Sequence, residues 1–177
     1  MMALGTTAPN FFLQDVVSGN IFSLADLKVE TGIVLFFICN HCPYVIHINS
    51  QLVKMANDYI DKGFYFIAIN SNDAKKYTED APDKMIVKAQ EWNYPFPYLY
   101  DETQEVAKSY EAACTPDFYV FDKDKKLTYR GQLDDSRPGN SIPLTGKDIR
   151  LALDAILVGE KPSPFQRPSI GCNIKWK

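Results

Sequence analysis

The chain has 177 residues, 46% hydrophobic and 23% charged, with a net charge of −3. That length suits one domain with a sizeable core, and mild acidity excludes the basic footprint of a nucleic-acid-binding surface. No apolar run approaches the roughly 20 residues that cross a bilayer, the first residues lack a basic-then-apolar leader, and four cysteines are too few for a disulfide scaffold, so the expected setting is the cytoplasm.

Phe11-Phe12-Leu13 and Ile21-Phe22-Ser23 flank Ser18-Gly19-Asn20 and predict a short hairpin ahead of the main fold. Ser23 is placed to cap a turn through Asp26 and Leu27. The run from Ile33 to Ile38, rich in β-branched and aromatic side chains, reads as a strand buried on both faces. From Cys42 onward the period changes: Val45, Ile48, Leu52, Met55 or Ala56, and Tyr59 recur at helical spacing. Pro43 sits at the first helical position, where its missing N–H costs nothing, and Lys62-Gly63 ends the helix.

Phe64 to Ile69 is a second apolar strand, which makes strand, helix and strand a parallel βαβ unit. Residues 71–80 are polar and predict no element. Pro82 opens a helix to about Trp92, Tyr94 to Pro97 is rigid loop, and Tyr98-Leu99-Tyr100 is a short strand. Thr103 caps a short helix to Tyr110. Phe118 to Phe121, Asp122 to Lys125 and Leu127 to Arg130 read as strand, turn and strand. A polar loop from Gly131 to Pro143 precedes a last helix through Ile149, Ala152 or Leu153, and Ile156, with Gly159 as its stop. The expected division is a domain over residues 1–160 and an irregular tail, 161–177, packed on it.

Two thiols therefore stand where a buried strand meets a helix N-terminus. Free backbone N–H groups and the helix dipole favour negative charge there, and the thiolate is the reactive form of cysteine. Cys39 and Cys42 are the candidate redox pair, with His41 between them as a thiolate modulator. The competing readings are an inert core pair or half of a zinc site, which would need more ligands than one Cys-x-x-Cys supplies. His47 reads as a surface or satisfied histidine, and Asp134, Asp135 and Arg137 as a solvated turn.

Cys39-Asn40-His41-Cys42-Pro43-Tyr44 after a buried strand and Cys114-Thr115-Pro116-Asp117-Phe118 before the closing hairpin carry a resemblance. Tyr129 to Pro138 and Ile170 to Trp176 add to it. Residues 5 to 158 resemble the thioredoxin-like superfamily, in the peroxiredoxin-like (AhpC/TSA, TlpA-related) branch with an N-terminal hairpin. The resemblance implies an α/β thioredoxin-like fold, a central mixed β-sheet flanked by helices with an N-terminal β-hairpin extension. It implies a thiol-disulfide oxidoreductase acting on protein or small-molecule disulfides and thiols, with no organic cofactor and no metal. In this reading the more exposed Cys39, held as thiolate by the helix and His41, attacks, and Cys42 resolves. Asn40 completes the dipeptide, and Thr115 and a cis Pro116 present backbone to the partner. Cys114, Arg137 and Cys172 are further candidates: a nearby thiol, a thiolate stabiliser and a third or resolving thiol.

The sequence departs from its relatives in defined places. Ile33 stands where thioredoxins carry a buried acid, and Ile38 where they carry Trp. In the peroxiredoxin pattern, Leu35 and Cys39 occupy the Pro and Thr positions if Cys42 is the peroxidatic residue. Two alternatives follow. One is a thiol peroxidase using Cys39 or Cys42, resolved by Cys114 or Cys172. The other is a copper or zinc module in which Cys39, Cys42 and His41 or His47 bind the ion, similar to Sco-type proteins.

Overall fold

Every residue of β3 (Gly32–Phe37) is buried, as its uninterrupted apolar run requires, and the sheet grows outward from it. β3 pairs in parallel with β4 (Phe64–Asn70) on one side and antiparallel with β7 (Asp117–Asp122) on the other. The computed structural model describes all 177 residues. β5 (Tyr98–Tyr100) runs parallel to β4. The N-terminal hairpin of β1 (Phe12–Asp15) and β2 (Ile21–Ser23) joins through β1 against β5, and β8 (Leu127–Gly131) closes the opposite edge on β7. The strand order is β2-β1-β5-β4-β3-β7-β8, a mixed sheet of thioredoxin-like form.

Alternation along β3 divides the core. Val34 and Phe36 face α1 (Pro43–Ile60), α2 (Pro82–Glu91) and α4 (Lys147–Leu157), while Ile33, Leu35 and Phe37 face α3 (Glu105–Ser109) and the N-terminal segment. α1 contributes Val45, Ile48, Leu52, Met55 and Ala56 to the first cluster, the face its spacing announced. Val45, Ile48, Leu52 and Met55 each contribute about 1.5–3 kcal/mol by leaving water, and the packed helix holds its own N-terminus fixed at the end of β3. No helix is long and apolar enough to cross a membrane.

Several local expectations change. Ser23 caps nothing; its buried Oγ has no partner. At α3 Thr103 accepts from Glu105 N at 3.4 Å as expected, but the helix starts after Gln104 and Asp101 also meets its amides, accepting from Ala107 N at 2.9 Å. Asp134 is not solvated: it is buried and accepts the backbone N–H groups of Ser136, Thr145 and Gly146 at 2.6–2.8 Å, tying the loop to the start of α4. The polar stretch before Pro82 forms a 3₁₀ turn at Thr78–Asp80. The tail returns as β9 (Cys172–Asn173), antiparallel to β6 (Cys114–Thr115).

Candidate active site

β3 delivers the chain to Cys39 with its last amide bond extended by Ile38 N donating to Ile69 O at 2.9 Å. The chain then turns through Asn40 and His41, and α1 begins at Pro43 with Cys42 as its N-cap. Cys42 O accepts from the amides of Val45 and Ile46, 3.0 Å each. The expected geometry of two thiols at a helix N-terminus is thus present, but the helix starts one turn beyond Cys39.

The Cys42 thiol is pushed down to about 4, first by a hydrogen bond from the Cys39 thiol, against the effect of burial, with further help from Cys172 and the backbone amides of Val45 and Cys172. Cys39 moves the other way: its bond to Cys42, burial and the charge of Asp80 all hold it protonated, and only Thr115 opposes them. The sequence suggests the thiolate on Cys39; the two sulfurs share the charge between them, and the bond from Cys39 favours it on Cys42, the N-cap residue of α1. Both sulfurs belong to buried residues, with Cys39 marginally the more exposed. It retains 2% of its accessible surface and Cys42 none.

The Thr115-Pro116 peptide bond is cis. Its loop lies against the pair, with Thr115 Oγ1 3.4 Å from Cys39 Sγ and Thr115 O 3.1 Å from Cys42 Sγ. The Cys42 thiol donates to that carbonyl, so a thiolate there gives up this bond and rests on those from Cys39 and Cys172.

Asn40 is a buckle rather than a reactive group. Its N–H donates to Asp80 Oδ1 at 2.8 Å, its Nδ2 to Glu79 O at 2.8 Å, and its Oδ1 accepts from Tyr98 OH at 3.0 Å. His41 Nδ1 approaches Asp80 Oδ2 to 2.8 Å without the alignment of a hydrogen bond, and its ring lies parallel to Tyr77, 6.0 Å between centroids. Asp80 has no exposed surface and also accepts from Asn72 Nδ2 at 2.7 Å. The sequence reading missed this carboxylate, since nothing local in residues 71–80 marks a residue whose partners lie at Asn40 and His41. With Ile33 in the usual acid position, Asp80 supplies a buried acid beside Cys39 from another element.

The other candidates separate. Cys172 Sγ lies 2.9 Å from Cys42 Sγ. Cys114 is buried, within 3.6 Å of Pro116 O, and is pushed up to about 12, mainly by burial and then by Asp117. Arg137 donates to the carbonyls of Asp134 and Ser136, 2.6 Å each, and to Gln132 Oε1; its charge lowers Cys114 slightly and touches neither Cys39 nor Cys42. His47 bonds Ser136 at 2.8 Å, as a satisfied histidine does.

Donor atoms of Cys39, His41 and Asp80 lie within 4.8 Å of one another, so these three, rather than Cys42 or His47, are the residues that could hold a metal ion. Their fit is poor: both Asp80 oxygens already accept from Asn40 and Asn72, and structural zinc takes four protein ligands.

The model of the AhpC/TSA family matches residues 4–130. Among solved structures, an uncharacterised conserved protein from Geobacillus kaustophilus is 60% identical with a TM-score of 0.98, over 100% of this chain and 94% of that one. A hypothetical protein from Sinorhizobium meliloti is 46% identical with a TM-score of 0.97, over 100% and 96%. The thioredoxin domain of a thiol-disulfide oxidoreductase from Bacteroides vulgatus is 21% identical with a TM-score of 0.63, over 73% and 89%, a likeness of fold. Among curated proteins no match was found.

Proposed function

The chain belongs to the AhpC/TSA family, and from that premise we propose that it is a thiol-disulfide oxidoreductase whose working couple is Cys39 and Cys42. The observation that carries this reading is the convergence of both sulfurs on Thr115, one on its hydroxyl and one on its carbonyl, at the start of α1. A thiolate at Cys42 beside a protonated thiol at Cys39 is the arrangement that dithiol exchange needs: one sulfur ready to attack, its neighbour ready to supply the second electron pair. In the reducing direction the Cys42 thiolate, the Cys39 thiol and a substrate disulfide become a Cys39–Cys42 disulfide and two substrate thiols, one departing sulfur taking the Cys39 proton and the other a proton from solvent. Substrates are protein or small-molecule disulfides, and the cytoplasm is the proposed setting, where thiols are kept reduced.

The test is catalysed reduction of insulin disulfides by dithiothreitol. The wild-type chain accelerates it, and Cys39→Ser and Cys42→Ser each abolish the acceleration; unchanged rates in either variant overturn the assignment. One observation favours a second reading, a thiol peroxidase: the Cys42 thiolate has no exposed surface, and hydrogen peroxide is small enough to reach what a bulky disulfide does not. Sustained peroxide consumption with a sulfenic acid on Cys42 would select it.

A further inference from the structure

We propose that Cys172 is the relay thiol through which the buried Cys39–Cys42 couple exchanges with disulfides outside the protein. This rests on the oxidoreductase reading above and extends it to a third reacting residue.

Burial poses the problem. Neither sulfur of the couple is open to a disulfide, since Cys39 keeps 2% of its surface and Cys42 none. Cys172 is partly exposed and its Sγ lies 2.9 Å from Cys42 Sγ. Of the thiols that touch the couple, it alone reaches both solvent and Cys42.

Its position is built, not incidental. β9 pairs antiparallel with β6 so that Cys172 stands opposite Thr115, the residue whose carbonyl and hydroxyl meet the couple. Gly171, one residue earlier, makes this approach possible: a Cβ there would collide with the Thr115 carbonyl and crowd Pro116 N. Beyond β9 the tail is fastened at successive points. Ile174 is buried and donates its N–H to Ala113 O at 3.3 Å. Lys175 N donates to Asn72 Oδ1 at 2.8 Å and Lys175 O accepts from Gln104 Nε2 at 2.8 Å. Before β9, Ser169 Oγ donates to Gly131 O at 2.7 Å. A thiol clamped on both sides at contact distance acts at an effective concentration far above any reached by a free thiol.

The relay balances in three exchanges. Burial and the neighbouring Cys42 push the Cys172 thiol up to about 11, so it sheds its proton only as it attacks an external disulfide R–S–S–R′; a Cys172–SR bond forms, the S–S bond breaks, and R′S⁻ leaves with that proton. The Cys42 thiolate attacks the Cys172 sulfur, forming Cys42–Cys172 and expelling RS⁻, which is protonated from solvent. Cys39 then attacks Cys42, forming Cys39–Cys42 and returning Cys172 to its thiol with the proton Cys39 loses. Two electrons pass from the couple to the substrate, and Cys172 is regenerated.

The test follows oxidation of the full, reduced chain by oxidised glutathione, quenched with acid and mapped by mass spectrometry. At equilibrium Cys172→Ser forms the same Cys39–Cys42 disulfide as the wild-type chain at a given glutathione ratio, but it arrives there at least about tenfold more slowly, having lost a pre-positioned thiol. Cys42→Ser accumulates glutathione on Cys172, and Cys39→Ser accumulates the Cys42–Cys172 disulfide. Oxidation of Cys172→Ser at the wild-type rate, or glutathione trapped on Cys39 rather than Cys172 in Cys42→Ser, overturns the relay alone. A wild-type chain that forms no Cys39–Cys42 disulfide overturns the oxidoreductase reading itself.

Discussion

Asp80 accepts the backbone N–H of Asn40 at 2.8 Å, so the dipeptide between the two thiols is fastened to a carboxylate forty positions further along the chain. The bond fixes the turn from β3 into α1, and the same carboxylate raises the cost of ionising Cys39. Asp80→Asn removes the charge but keeps the size, and it sets an amide against the donors of Asn40 and Asn72. It should cost about 1–3 kcal/mol for the buried bonds it breaks, read by chemical denaturation. Alkylation of Cys39 at fixed pH should become faster. Unchanged alkylation would mean the carboxylate does not act on that sulfur.

The charge on Cys42 gives a titration with a definite sign. A thiol at its ordinary value of 9.0 is neutral at pH 7, whereas one lowered to about 4 stays ionised there. The thiolate ultraviolet absorbance of the reduced chain should therefore persist through neutrality and fall only as pH drops through about 4. Cys42→Ser should remove that absorbance and Cys39→Ser should leave a thiolate in place. Loss of the neutral-pH signal in Cys39→Ser but not in Cys42→Ser would return the charge to Cys39.

Gly171 sets how closely the tail lies on the site. In Gly171→Ala the new Cβ meets the Thr115 carbonyl, so β9 must lift. The expected loss is about 1–3 kcal/mol, the range of an overpacked position. Alkylation of Cys42 should speed up as its cover loosens, in a chain that keeps all four cysteines. Protection of Cys42 equal to that of the wild-type chain would show that the tail is not what shields it.

Arg137 separates support from chemistry. Its guanidinium spans the carbonyls of Asp134 and Ser136 and reaches Gln132, all within the loop between β8 and α4. Arg137→Met should lower stability by about 1–3 kcal/mol through carbonyls left without a donor while the reduction potential of the couple stays where it was. A shifted potential would give Arg137 a part in the redox chemistry.

The elements legible in the sequence are those whose signal is local. The unbroken run of β3, the helical spacing of α1 and the strand-turn-strand of β7 and β8 all reflect burial patterns within a dozen residues, and all stand within a residue or two of expectation. The pairing of Thr115-Pro116 with the Cys motif was legible only through resemblance. What escaped depends on contacts across the chain. Thr103 keeps the Glu105 amide at 3.4 Å but shares the α3 start with Asp101, buried just after β5, which takes the amides of Val106 and Ala107. Asp80 gave no local sign because its partners are Asn40 and Asn72. The tail carries no period from which β9 could be read.

The central claim is a reversible two-electron couple between Cys39 and Cys42. Equilibrating the chain across glutathione redox buffers and mapping the disulfides by mass spectrometry tests it most directly. The account predicts one intramolecular Cys39–Cys42 disulfide, forming and dissolving along a single transition of about 30 mV per tenfold change in the equilibrium constant. Both cysteines staying reduced across the whole range, or oxidising only beyond the disulfide level, would contradict it.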